Sequence, residues 1–256
     1  RSRGSPEGSE VEDETVVARA GHADVHAVVG GPLVVAGALV TDSAQAQTLA
    51  SADVDGTAQL SSDDSLTATG LLDVTGDLTA TTGGDLSLAT LRGGANVTLD
   101  SGAALDVSGL MAVAGTLTTD SAGAQTLAAV TVAGAADLSS GSTLAVSGLL
   151  DVGGNLTTAS AGGQTLAEVD VDGTADLETE TTLTVAGLLR VGLDLTTSSP
   201  GLTRLAAVNV GGDATLTSAA AARASCGTPA TRAFSTVTPP SAPPATRSTS
   251  ARPRPA

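Results

Sequence analysis

The chain has 256 residues, one aromatic (Phe234), one cysteine (Cys226), eleven arginines without a lysine, and a formal net charge of −16. Such a composition leaves no room for a large globular core built on aromatic rings, for an internal disulfide or for a cysteine-based zinc site. The excess of acid argues against nucleic acid or an anionic membrane surface as partner, and no run of eighteen apolar residues is present to span a bilayer.

Residues 1–28 hold six acids and three arginines and read as an acidic, disordered segment. The start at RSRGSPEGSE, without Met or a discernible signal peptide, is expected to be truncated or processed. The acidic run from Glu7 to Glu14 reads as solvated charge. His22 and His26 are four apart and could share a metal only on a helix. No helical apolar stripe and no third ligand accompany them, so no metal is expected.

From residue 29 to 218 the chain repeats itself. Copies of 39 residues begin at Pro32, Leu71, Leu110 and Leu149, and a fifth, starting at Leu188, breaks off at Ser218. Each copy divides again: Val152 and Val171 are 19 apart, Val171 and Val191 are 20 apart. Repetition on this scale sets the architecture before any motif does. Within the fourth copy, Val169, Val171, Gly173, Ala175 and Leu177 alternate with Asp170, Asp172, Thr174 and Asp176, which is strand periodicity. Asp170, Asp172 and Asp176 are expected on the outer side of one strand.

Identical residues recur in columns 39 apart. One holds Leu39, Leu78, Leu117, Leu156 and Leu195. A second holds Leu49, Leu88, Leu127, Leu166 and Leu205, and a third Leu60, Leu99, Leu138, Leu177 and Leu216. Columns of this kind are what a solenoid stacks in its interior. The prediction is therefore an all-β chain, a single-stranded parallel β-helix (β-solenoid) over 29–218. It has about ten coils of 19–20 residues in 39-residue double-coil repeats, right-handed by the general crossover rule. At ~4.8 Å per coil it would be a rod of roughly 48 Å. Gly37, Gly76, Gly115 and Gly154 form a column of predicted bends, where the fifth copy has Leu193. Asp55-Gly56 and Asp172-Gly173 could form hairpins in isolation, but hairpins would not keep this register.

Residues 219–256 abandon the pattern. They contain seven of the ten prolines, five arginines and no acid. This segment reads either as a Pro-rich disordered tail or wall-spanning linker, or as out-of-frame translation beginning where the fifth copy stops. The repeats by contrast hold 21 acids and three arginines, a net −18.

The phrases Gly115-Thr116-Leu117-Thr118-Thr119 and Gly154-Asn155-Leu156-Thr157-Thr158, on coils of about 19 residues, resemble the repeats of filamentous-haemagglutinin-like exoproteins. The related β-strand-repeat passengers of autotransporter adhesins are similar. The resemblance covers 29–218 and implies a secreted or surface-displayed right-handed β-helix acting as an adhesin shaft. Its partners would be glycans or proteins of a host or neighbouring cell. No copy of that family's amino-terminal secretion domain, and no autotransporter barrel, is found in the chain.

The same residues bear on other functions. Calcium-binding solenoids need a dense GGxGxD pattern, absent here. Asp73 and Asp151 also share their column with Ala112 and Arg190. β-Helix enzymes acting on polysaccharides set carboxylates in an aromatic-lined groove, for which the repeats have no aromatic and no lengthened loop. An ice-binding Thr ladder is suggested by Thr67, Thr182 and Thr184 but interrupted by Ser142 and Ala104. The expectation is a non-catalytic structural protein without catalytic residues or cofactors. A bactofilin-like scaffold that self-associates end to end is the alternative, since the first and last coils expose strand edges.

Overall fold

An extended chain with an apolar residue at every second position has one side to bury, and a repeat that cannot bury it alone buries it against its neighbours. The computed structural model describes residues 16–19, 29–226 and 233–235. Over them the chain is a parallel β-solenoid of about ten turns, as predicted. Each coil contributes a long strand, such as Gln125–Val132 or Leu144–Val152, and a short one, such as Leu117–Ser121. Long strands stack only on long strands, in a 12-stranded sheet, and short ones on short ones, in an 11-stranded sheet.

The long strand consists of two runs. Gln125–Leu127 pair with Leu144–Val146, and pairing resumes between Val130–Val132 and Leu150–Val152. Two residues, Ala128 and Ala129, fill the gap in one coil. Three, Ser147, Gly148 and Leu149, fill it in the next. This alternation of two and three is why successive coils are 19 and 20 residues long. The extra residue is absorbed as a bulge, the usual way for one strand to carry an unpaired residue and bend.

All three predicted leucine columns are buried. The column of Leu60 does not stack on leucines, however. Its rungs alternate with Thr41, Ala80, Thr119, Thr158 and Thr197, all facing inward. In each Leu-Thr-Thr phrase the first threonine therefore faces water and the second the core.

The Asp-Gly pairs make no hairpins. Asp172-Gly173 joins Gln164–Val171 to Ala175–Thr179, strands of different sheets, and Asp55-Gly56 joins Gln47–Val54 to Ala58–Ser62 in the same way. The glycine column has mainly a steric cause. A Cβ on Gly154 would stand 2.8 Å from the carbonyl carbon and oxygen of Gly134 in the coil below. Among the described residues only Gly37 has a positive φ, 133°. Leu193, in the fifth copy, points its side chain into solvent.

Strands Val16–Arg19, Ala221–Cys226 and Ala233–Ser235 continue the two ladders past 29–218. The rest of the segments 1–28 and 219–256, with Glu7–Glu14, His22 and His26, lies outside the described residues.

Candidate functional site

Because outward residues of successive coils stand in register, a site on this rod is a set of columns. The short strands present one face. Its main column reads Thr79, Thr98, Thr118, Asp137, Thr157, Asp176, Thr196 and Thr215. Beside it Asp100 pairs directly with Asp120.

The second run of the long strands presents another face: Asp53, Asp73, Arg92, Ala112, Thr131, Asp151, Asp170, Arg190 and Asn209. Two cations are used locally. Arg92 Nη1 lies 3.1 Å from Asp73 Oδ2, and Arg190 Nη1 3.5 Å from Asp170 Oδ2. Between them the small side chains of Ala112 and Thr131 leave an open groove of about 620 Å³. Arg92 stands at one end, Asp151 and Asp172 at the other, over a floor of Val113 and Val132. Its lining includes no histidine and no cysteine. It offers charge and shape to a ligand.

The first run of the long strands is different. Its outer column is Thr48, Thr67, Ser87, Asp106, Thr126, Ala145, Thr165, Thr184 and Arg204. It ends at the bulge, where Leu71, Leu110, Leu149 and Leu188 project with exposures of 38, 50, 41 and 39%.

These placements correct two expectations. Asp170, Asp172 and Asp176 do not share a strand. Asp170 is near the end of Gln164–Val171, Asp172 is in the turn, and Asp176 is on the short strand Ala175–Thr179. Nor are the threonines where the ladder was sought. Thr67 and Thr184 stand in one column with Asp106 and Ala145 between them, while Thr182, Ser142 and Ala104 lie in turns. The fuller threonine column is that of the short strands, interrupted by Asp137 and Asp176.

Among the described residues no group of three or more His, Cys, Asp or Glu is arranged to hold a metal ion, and no helix is long and apolar enough to cross a membrane. Asp73, considered for calcium, is paired with Arg92.

Two polar series inside the rod were missed at the sequence level. At one corner Ser62, Ser101, Ser140, Thr179 and Ser218 are buried. The hydroxyl of Ser101 lies 2.8 Å from the carbonyl of Gly84, in the preceding coil, and 2.8 Å from that of Ala104, in its own turn. Ser140 repeats this with Gly123 and Thr143 at 2.8 and 3.0 Å. Their 39-residue spacing was a usable signal. The second series is a Thr–Gln pair across the interior. Thr41 bonds Gln47 at 3.0 Å, Thr158 donates to Gln164 Oε1 at 3.1 Å, and the Gln125 amide donates to Thr119.

No protein-family model, curated protein or solved structure matches this chain.

Proposed function

We propose that the protein is a non-catalytic structural element, the shaft of a filamentous-haemagglutinin-like exoprotein held at the cell surface or secreted. One observation carries this reading: from Gln47 to Ser218 the coils succeed one another with no inserted loop, varying only by the one bulge residue. An active site on a solenoid needs coils that differ locally, to build a cleft around a unique set of groups, whereas a spacer needs uniform coils. The acidic outer faces keep such a rod soluble and apart from anionic surfaces. Glycans or proteins of a host or neighbouring cell are its partners under this reading. Immunogold labelling of intact cells tests it: label on the outer surface is expected, and label confined to the cytoplasm would overturn it.

A specific observation favours a second reading, a scaffold polymerising end to end. Among the described residues the ladders finish in strands Val16–Arg19 and Leu39–Ser43 at one end and Ala221–Cys226 and Ala233–Ser235 at the other, each paired on one side only. Unpaired edges template further strands. Electron microscopy of the purified chain separates the two readings: long filaments favour the scaffold, single rods the shaft. Hydrolysis of a polysaccharide, abolished by one point mutation, would displace both.

A further inference from the structure

The charge of the rod largely spares one side. Of the 21 acids between residues 29 and 218, nineteen lie on the second run of the long strands, on the short strands, or in the turns. The first run, from the start of each long strand through its bulge, carries only Asp106 and Glu168, with Arg204 as a counter-charge. Its outward residues are otherwise Thr, Ser, Ala and Leu: Thr48, Thr126, Thr165 and Thr184 in one column, Ala50, Ala89, Ala128 and Ala167 at the bend, and then the leucine ridge.

The ridge has a regular profile. Leu71 pairs with Thr90, Leu110 with Ala129, Leu149 with Glu168, and Leu188 with Ala207. A projecting leucine therefore alternates with another residue, small in three rungs of four, and the leucines stand two coils, or ~9.6 Å, apart. A surface of bumps and gaps at one constant interval is complementary to itself when displaced by one rung.

We propose that this face is the contact between two copies of the chain, lying side by side and antiparallel about a two-fold axis between the rungs of Ala129 and Leu149. That axis sets Leu149 against the partner's Ala129, Leu188 against the partner's Thr90, Leu71 against the partner's Ala207, and Leu110 along the methylenes of the partner's Glu168. A parallel pair in register would set leucine against leucine and leave the gaps empty, and one displaced by a rung would not close on itself. Two rods of this charge repel most strongly through the other faces, whereas this one carries only the carboxylates of Asp106 and Glu168. The area suffices. Roughly ten coils of ~4.8 Å by about four residues of ~3.3 Å is about 600 Å² per copy. The pair thus buries about 1,200 Å², the lower end of the range for specific interfaces. An isologous contact of this kind closes on itself, so it makes a dimer and not a sheet of rods.

Such a contact needs only these faces and is independent of whether the rod is a shaft. Its test is sedimentation equilibrium of the full chain at micromolar concentration, in dilute buffer and in molar sodium chloride. Twice the chain mass is expected, with tighter association in salt because acids such as Asp85 and Glu180 border the face. Leu110→Glu with Leu149→Glu should return the chain to monomer mass, while Thr118→Glu with Thr157→Glu, on the short-strand face, should leave the dimer intact. Circular dichroism of both double variants establishes that the solenoid is retained, as expected for exposed positions. A wild-type chain of monomer mass in both buffers overturns the proposal, and so does a dimer that survives the leucine substitutions. Filaments formed end to end would persist in the leucine variants, so the two modes of association are separable.

Discussion

The side-chain amide of Gln125 donates to the hydroxyl of Thr119 inside the rod, and one repeat earlier the same two positions are occupied by Leu86 and Ala80, both fully buried. The chain thus contains its own double substitution. Gln125 Oε1 has no partner, so the polar version leaves one acceptor unsatisfied that the apolar version does not have. Thr119→Ala alone should lower the melting temperature, since an amide stripped of its partner in the interior costs about 1–3 kcal/mol. Thr119→Ala with Gln125→Leu should restore it to the wild-type value or above. Thermal melts of the three proteins decide this; a double variant less stable than the single one would contradict it.

The corner hydroxyls hold consecutive coils together. Ser101→Ala removes a donor to the carbonyls of Gly84 and Ala104, and a loss of about 1 kcal/mol is expected from one such bond. Ser139→Ala, on the outer side of Ala136–Ser140, should stay within about 0.5 kcal/mol of wild type. Denaturant midpoints measured side by side should separate the two; equal effects would mean that the corner hydroxyls do not tie the coils.

Backbone proximity gives a third expectation. Gly154→Ala forces a methyl to 2.8 Å from the main chain of Gly134, which can yield only if two coils part. Gly163→Ala meets first the hydroxyl of Thr182 at 3.0 Å, a side chain that can rotate away. The first variant should melt well below wild type and the second close to it. The reverse order would show that coil spacing at the Gly154 corner is not tight.

Asp100 and Asp120 occupy neighbouring rungs on the short-strand face, ~4.8 Å apart, with no cation paired to either among the described residues. Salt should relieve this repulsion, as the Debye length falls from ~10 Å at 0.1 M to ~3 Å at 1 M. The melting temperature, followed by the β signal in circular dichroism, should therefore rise in molar sodium chloride. Asp120→Asn should reduce that rise. Asp170→Asn should not, because Arg190 already stands beside Asp170. A melting temperature that falls with salt would remove crowding of the acidic columns as a determinant of stability.

The coil number, the leucine columns and the parallel stacking were legible in the sequence because they rest on a fixed period and on alternation. The corners were not, for a physical reason. Val171, Gly173 and Ala175 all face inward although a turn intervenes, so the inside–outside pattern runs through the corner without a mark. For that reason Asp170, Asp172 and Asp176 look like one strand in the sequence. The single place where alternation slips is the bend of the shorter coils, between Leu127 and Val130, which shows in the sequence only as two adjacent alanines. The inward threonines were hidden for a similar reason: in Leu117-Thr118-Thr119 the two threonines are chemically identical, and only the strand register separates them. The low-charge face could be read only after the bend had divided the long strand in two.

Hydrogen bonds between coils run along the axis of the rod, and each coil is tied only to the coils above and below it. A tension applied between the two ends therefore loads one rung at a time, as in peeling tape, and not all rungs together. Each detached coil frees 19 or 20 residues, which extend to about 65–70 Å and replace ~4.8 Å of rod. Under load the molecule would lengthen in nearly equal steps at nearly equal force, giving way progressively where a globular tether of the same mass would yield in a single event.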